Sequence, residues 1–207
     1  MNTPAIAPLI RQHGIISDQV TPAELTVLLE ELCRVLETTT AGAVVEFGCY
    51  SGTTSLYIRR LLDHYQANME FHVYDSFVGL PGKTGQDISP AGEQFKAGEL
   101  AVPKKEFLLN FKKAALRPPA VHKAWFSELT PSDVPDAIGF AFLDGDYYES
   151  IRDSLVLITP KLSPGAVIIV DDYMNEALPG AAIATDEWLR MHPAKLRAAH
   201  SLAIIHR

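Results

Sequence analysis

Apolar residues fall into two alternating kinds of segment. Short, largely apolar runs at Ala43–Phe47, 71–74, Ile138–Leu143 and 166–170 read as strands buried in the sheet. Between them, apolar residues recur every three or four positions, as in Leu25, Leu28, Leu32 and Val35, and again in Ile151, Leu155 and Ile158. The spacing predicts helices from Pro22 onward and over 53–65, 103–115, 147–158 and 180–191. Thr21-Pro22-Ala23-Glu24 has the capping residue, the N1 proline and the acid of a helix start. Ala120–Lys123 reads as a further strand, and Lys195–Ala199 with 202–205 as a closing hairpin turning near His200-Ser201. Strands alternating with helices predict an α/β fold with a mostly parallel, doubly wound sheet. The glycine- and proline-rich stretch from Asp75 to about Pro103 reads as one long loop, with a turn of helix near 93–96. A loop of that length in a compact domain is usually functional or mobile.

Composition narrows the classes. The chain has 207 residues, fitting a single domain over 1–207 in which 1–40 forms an N-terminal helical extension. Its formal net charge of −7 argues against nucleic acid and against anionic membranes as partners. No segment approaches the roughly 20 apolar residues that span a bilayer. Residues 1–8 lack the basic and apolar regions of a leader, so a cytoplasmic location is expected. Cys33 and Cys49 have no metal or CxxC spacing, and the seven histidines show no ligand spacing.

The first strand runs out through Glu46-Phe47-Gly48-Cys49-Tyr50-Ser51-Gly52-Thr53 into a helix. Glycines there admit a ligand close to the backbone, at the carboxyl ends of the strands where doubly wound sheets bind ligands. Counted from Gly48, a GxGxxG fingerprint would need glycine at Tyr50 and Thr53, so a nicotinamide dinucleotide is disfavoured. An acid followed by GxxxG suits a ligand with an amino acid end and a sugar. Asp75 ends the second strand, where a carboxylate accepts both hydroxyls of a ribose. The competing readings are a bare strand-to-helix turn and a turn-forming aspartate.

Four more carboxylates converge on the same sheet edge. Asp144 and Asp146 follow the fourth strand, and Asp171 and Asp172 the fifth. Crowded carboxylates repel one another unless a cation or a proton intervenes, and oxygen donors suit magnesium. A metal there could acidify a substrate hydroxyl and a free carboxylate could take its proton. Separately, each could equally cap a helix or shape a turn. Trp125 and Phe126, after the third strand, could flank an adenine or belong to the core.

The chain resembles the macrocin O-methyltransferase family, a branch of the class I methyltransferases acting on sugar hydroxyls in natural-product biosynthesis. The resemblance rests on Val45-Glu46-Phe47-Gly48, Asp75-Ser76-Phe77 with Gly79-Leu80-Pro81, Trp125-Phe126, Leu143-Asp144-Gly145-Asp146 with Tyr148-Glu149-Ser150, and Ser163-Pro164-Gly165 through Asp171-Asp172-Tyr173. It implies a Rossmann-like sheet of seven strands closed by an antiparallel C-terminal hairpin. It implies S-adenosylmethionine held around Glu46, Gly48, Ser51, Gly52, Asp75, Ser76, Trp125, Phe126 and Asp144. It further implies magnesium on Asp144, Asp171 and Asp172, with Asp146 as general base and Asp144 beside it in catalysis. A small-molecule acceptor follows, and a homodimer is compatible with the family. The chain departs from the family at Tyr50-Ser51-Gly52-Thr53 and at Ala141-Phe142. A catechol-type phenolic acceptor and a non-catalytic S-adenosylmethionine-binding module are the alternatives.

Overall fold

The computed structural model of the protein describes residues 6–38 and 41–207. Helices α1 (Ile6–Gln12) and α2 (Pro22–Glu37) precede strand β1 (Ala43–Phe47). Then follow α3 (Thr53–His64), β2 (Phe71–Asp75), α4 (Lys104–Lys113), β3 (Ala120–Lys123) and β4 (Ile138–Leu143). The chain closes with α5 (Tyr148–Ile158), β5 (Leu162–Val170), α6 (Pro179–Met191), β6 (Lys195–Ala199) and β7 (Leu202–His206). The seven strands form one sheet in the order β3-β2-β1-β4-β5-β7-β6. Pairing is parallel from β3 through β5 and antiparallel at β5–β7 and β7–β6. This is the expected doubly wound sheet with its antiparallel hairpin.

Strand alternation sorts the core into two layers. Val44, Val73, Phe140, Phe142 and Ile169 pack with buried residues of α1 to α4. Their neighbours Val45, Tyr74, Ala141, Leu143 and Ile168 pack with α5 and α6 on the other face. The central strands β1, β2, β4 and β5 are therefore mostly buried on both sides, which is why their sequences read as largely apolar runs, whereas β3 and β6 at the sheet edges are exposed or half-buried.

Three details differ from expectation. The loop after β2 has its helical turn at Gly85–Asp87, not at 93–96. Thr84 and Asp87 cap that turn reciprocally, whereas Phe95 adopts a left-handed φ of 59°, which interrupts a helix. Strand β5 starts at Leu162, ahead of Gly165, because Leu162 pairs with Ile138 across a register shift. The seven-residue α1 was foreseen only as part of a helical extension over 1–40. That extension, and the leader-free reading of 1–8, fall in part on 1–5 and 39–40, outside the described residues. Among the described residues, no helix is long and apolar enough to cross a membrane.

Helix α2 starts as its sequence predicts. Glu24 N–H donates to Thr21 Oγ1 at 3.2 Å, and Thr21 N–H donates to Glu24 Oε2 at 2.9 Å. Further along, the buried Glu31 carboxylate accepts from Arg197 at 2.7 Å and Arg34 at 3.0 Å. This pair fastens β6 to α2. Near the start of α2, the Ser201 hydroxyl at the β6–β7 turn donates to Glu24 Oε1 at 2.6 Å.

Candidate active site

The chain reverses direction across the sheet between β1 and β4, opening a crevice at their carboxyl ends. A cavity of about 470 Å³ lies there. Of the residues singled out from sequence, Gly48, Asp75, Ser76, Trp125, Phe126, Asp144, Asp146, Asp171 and Asp172 line it. Glu46, Ser51 and Gly52 do not.

Gly48 has a φ of +86°, and a Cβ placed on it would stand 1.8 Å from the Asp144 carbonyl oxygen. Only glycine lets the two strand ends approach this closely. Gly52 serves packing in a similar way, since it begins α3 at a φ of +91° and a Cβ would meet the Phe107 ring at 2.9 Å. Glu46 is fully buried beneath the turn and accepts from the hydroxyls of Thr54 and Ser55 in α3. Burial pushes its carboxyl up to about 7, against the lowering effect of those hydroxyls. Strand alternation puts Glu46 on the face of Val44, under α3.

Asp75 organises the turn from the second strand. Its Oδ2 accepts the Cys49 N–H at 2.9 Å, and its Oδ1 accepts the Phe77 N–H at 2.6 Å. Phe77 is held in a left-handed conformation with a φ of 56°. The buried Cys49 thiol lies 3.4 Å from the same carboxylate, and burial followed by the Asp75 charge pushes it well above the usual thiol range. Phe126 meets Phe47 edge-on at 5.2 Å, and Phe47 stacks on Tyr74 at 4.5 Å. An aromatic wall thus extends from the cavity into the core.

The four other carboxyls share one electrostatic problem. Burial, then the charges of Asp171 and Asp146, hold Asp144 well above the ordinary carboxylate range. Asp146 is raised in the same way by burial and then by Asp172 and Asp171. Asp171 is pushed up to about 7 by burial and Asp172, and burial also raises Asp172. Asp171 Oδ1 accepts the Asp172 N–H and lies 2.8 Å from Ser201 Oγ, while Asp172 Oδ1 accepts from Asn175 at 2.9 Å. Among the described residues, no three His, Cys, Asp or Glu side chains are already gathered to hold a metal ion. The chemistry of the donor set nevertheless fits a hard divalent cation. All four are oxygen donors, and a cation would offset the burial and the neighbouring negative charge that raise them.

The rest of the wall was not legible as a site. Asp18, Gln19, Thr21 and Glu24 come from the approach to α2, and His200 and Ser201 from the hairpin turn. Gln94, Phe95 and Leu100 come from the long loop, with Met174 and Asn175 following the Asp171-Asp172 pair. The sequence signal for Glu24 was a helix cap and for His200-Ser201 a turn. Neither announces a cavity, because tertiary contacts bring them together.

Comparison with known proteins agrees with this geometry. The family profile of Macrocin-O-methyltransferase (TylF) matches residues 19–199. The chain is 33% identical over 160 residues to 8-demethyl-8-(2,3-dimethoxy-alpha-L-rhamnosyl)-tetracenomycin-C 4'-O-methyltransferase of Streptomyces olivaceus, covering 72% of this chain and 61% of that protein. It is 34% identical over 155 residues to demethyldecarbamoylnovobiocin O-methyltransferase of Streptomyces niveus, covering 71% and 58% respectively. The chain thus spans about three fifths of the length of these relatives. The solved structure of the O-methyltransferase NovP superposes with a TM-score of 0.80 at 26% identity, covering 91% of this chain and 81% of that one.

Proposed function

The chain belongs to the macrocin-O-methyltransferase family, and from that premise we propose that it is an S-adenosylmethionine-dependent O-methyltransferase acting on a hydroxyl of a sugar or glycosylated small molecule. The observation that carries this reading is the meeting of Gly48, Asp75 and Asp146 in one cavity at the reversal point of the sheet. Residues 1–207 would act as one methyltransferase domain, with 1–40 as its helical extension.

When bound, S-adenosylmethionine supplies an electrophilic methyl group, and magnesium makes an acceptor hydroxyl more acidic. The residues present fit both. Asp75 keeps acceptor capacity beyond its two backbone contacts and would receive the ribose hydroxyls. Gly48 would admit the ligand against the backbone, Ser76 would line its sugar side, and Trp125 and Phe126 would flank the adenine. Ser51 does not line the cavity, and its backbone carbonyl accepts from Asn110 Nδ2 at 3.0 Å, so it would help to fix the turn. Glu46 and Gly52 would act from below by fixing the turn. Asp144, Asp171 and Asp172 would hold the cation.

Asp146 is the proposed general base. It takes the acceptor proton as the acceptor oxygen gains its methyl group, so no free alkoxide has to form. Positive charge brought by the methyl donor and the cation favours the ionised form of Asp146. Asp144 assists by orienting the acceptor. Alignment of donor and acceptor supplies much of the acceleration.

The test joins calorimetry of S-adenosylhomocysteine with transfer of labelled methyl groups to a panel of glycosides, each with magnesium and with EDTA. The expected result is micromolar cofactor binding in both conditions and turnover only with magnesium. Full turnover in excess chelator would remove the metal role, and no cofactor binding in either condition would remove the whole reading.

A further inference from the structure

Ser201 stands where three segments meet. It lies in the β6–β7 turn, and its carbonyl accepts the Met174 N–H at 3.0 Å. Its hydroxyl oxygen is 2.6 Å from Glu24 Oε1, in the first turn of α2, and 2.8 Å from Asp171 Oδ1, after the end of β5. All four residues line the cavity. The hydroxyl is thus shared between a carboxylate that caps α2 and one proposed to hold the cation.

A serine hydroxyl carries one hydrogen, so at any moment it serves Glu24 or Asp171 and not both. The hydrogen turns about the C–O bond, and the contact with Met174 uses only the backbone carbonyl, so either choice leaves the turn in place. The two carboxylates do not need the hydrogen equally. Glu24 is half-buried, and its Oε2 already accepts Thr21 N–H and Oγ1 at 2.9 and 2.8 Å. Asp171 is buried, and its other hydrogen bond among the described residues is the Asp172 N–H, at 2.8 Å on the same Oδ1. With Ser201 turned to Asp171, two donors grip Oδ1, while no hydrogen bond among the described residues engages Oδ2. Asp172 repeats the arrangement, with Asn175 Nδ2 on its Oδ1 at 2.9 Å and its Oδ2 likewise unengaged. A carboxylate held by one oxygen presents the other in a fixed direction, as the strict geometry of magnesium demands.

We infer that Ser201 is a positioning residue for the divalent cation, an inference that rests on the metal role proposed above. Turned to Asp171, its hydroxyl fixes that carboxylate with Oδ2 free to bind. Turned to Glu24, the same hydroxyl fastens the hairpin turn to α2 and leaves Asp171 held by the Asp172 N–H alone. The strength of the cation site is therefore set in part by a residue of the hairpin that never touches the ion.

Manganese binding tests this without turnover, since manganese also takes oxygen ligands and its free ion gives a paramagnetic resonance signal. The signal is followed as manganese is titrated into the full chain with S-adenosylhomocysteine present, and Asp171→Asn shows which part of the uptake belongs to this site. Ser201→Ala should raise the manganese Kd at least ~10-fold, the low end for losing a group that holds a metal ligand. Ser201→Cys, which keeps the shape with a weak donor, should weaken binding in the same direction. Ser201→Thr keeps the hydroxyl and should stay within about threefold of the unaltered protein. In EDTA all three variants should bind S-adenosylhomocysteine as the unaltered protein does, because the carbonyl contact with Met174 survives each change. Unchanged manganese affinity in the alanine and cysteine variants overturns the inference and leaves the metal role standing. A loss in Ser201→Thr as large as that in Ser201→Ala overturns it too, since the turn and not the hydroxyl would then matter. If the unaltered protein takes up no manganese even in the millimolar range, the metal role falls and this inference falls with it, whereas S-adenosylhomocysteine binding still decides the methyltransferase reading.

Discussion

Oδ1 of Asp87 accepts the backbone N–H of Tyr148 at 2.7 Å, joining residues 61 positions apart. Tyr147, which precedes α5, offers no side-chain cap, so the long loop caps this helix from outside. The other Asp87 oxygen accepts Thr84 N–H and Oγ1 at 2.7 and 2.8 Å. One buried carboxylate thus fixes both the loop turn and the start of the helix that follows Asp146.

Asp87→Ala should lower stability by about 1–2 kcal/mol, the scale of a lost cap. It should raise the acceptor KM several-fold, because Gln94, Phe95 and Leu100 of the same loop line the cavity. Gly180→Ala should act alike, since its Cβ would stand 2.0 Å from Asp87 Oδ1. Urea unfolding and steady-state kinetics check both variants. An unchanged KM in two destabilised variants would separate the loop anchor from acceptor binding.

Asp75→Ala should weaken S-adenosylhomocysteine at least ~10-fold, the low end for hydrogen bonds to a charged group. The same change frees the Cys49 and Phe77 N–H groups, so a loss of stability should accompany it. Calorimetry on protein confirmed as folded by circular dichroism separates the two effects. Unchanged affinity would refute the ribose role.

The central strands were legible because they are largely apolar on both faces, and the residues at their ends followed from the sheet. Gly48, Asp75, Asp144 and Asp171 all sit at strand ends, and the structure brings them to one cavity. Glu46 is expected from the resemblance as a ligand contact, and two-residue alternation aligns it with Val44 beneath α3, outside the cavity lining. That direction was available in the sequence once the strand was placed. Asp18, Ser201 and Met174 were not available. They are ordinary polar or apolar residues on turns, and only the packing of α2 against the hairpin and of the long loop against the segment after Asp172 makes them a wall. The 93–96 turn was misplaced for a local reason, since backbone φ at Phe95 is not written in composition.

Glu46 makes stability pH-dependent with a definite sign. Its carboxyl is raised from 4.5 to about 7 in the folded protein. Between those values the folded state holds a proton that the unfolded chain has released, so this group's contribution is lost as pH rises from about 4.5 to 7. A shift of that size corresponds to about 3 kcal/mol. Glu46→Gln should remove this dependence while leaving that of the other raised carboxyls. Its stability relative to the unaltered protein should therefore be greater at pH 8 than at pH 5, as read by urea titration at the two values. An equal difference at both would show that Glu46 ionises as an ordinary carboxyl.

Asp146→Asn tests the chemistry itself. The side chain keeps its shape and loses its basicity, so S-adenosylhomocysteine binding should stay within a few fold while turnover falls about 100-fold or more. The effect should reside in kcat, because the proton moves only as the new bond forms. Asp146 has a left-handed φ of 59°, a conformation asparagine also tolerates, so the fold should survive the change. Asp171→Asn should behave differently, raising the magnesium concentration needed for half-maximal rate. If Asp146→Asn instead turned over nearly normally, proton removal would have to be assigned to another carboxyl of the cavity, and Asp144 would be the next to change.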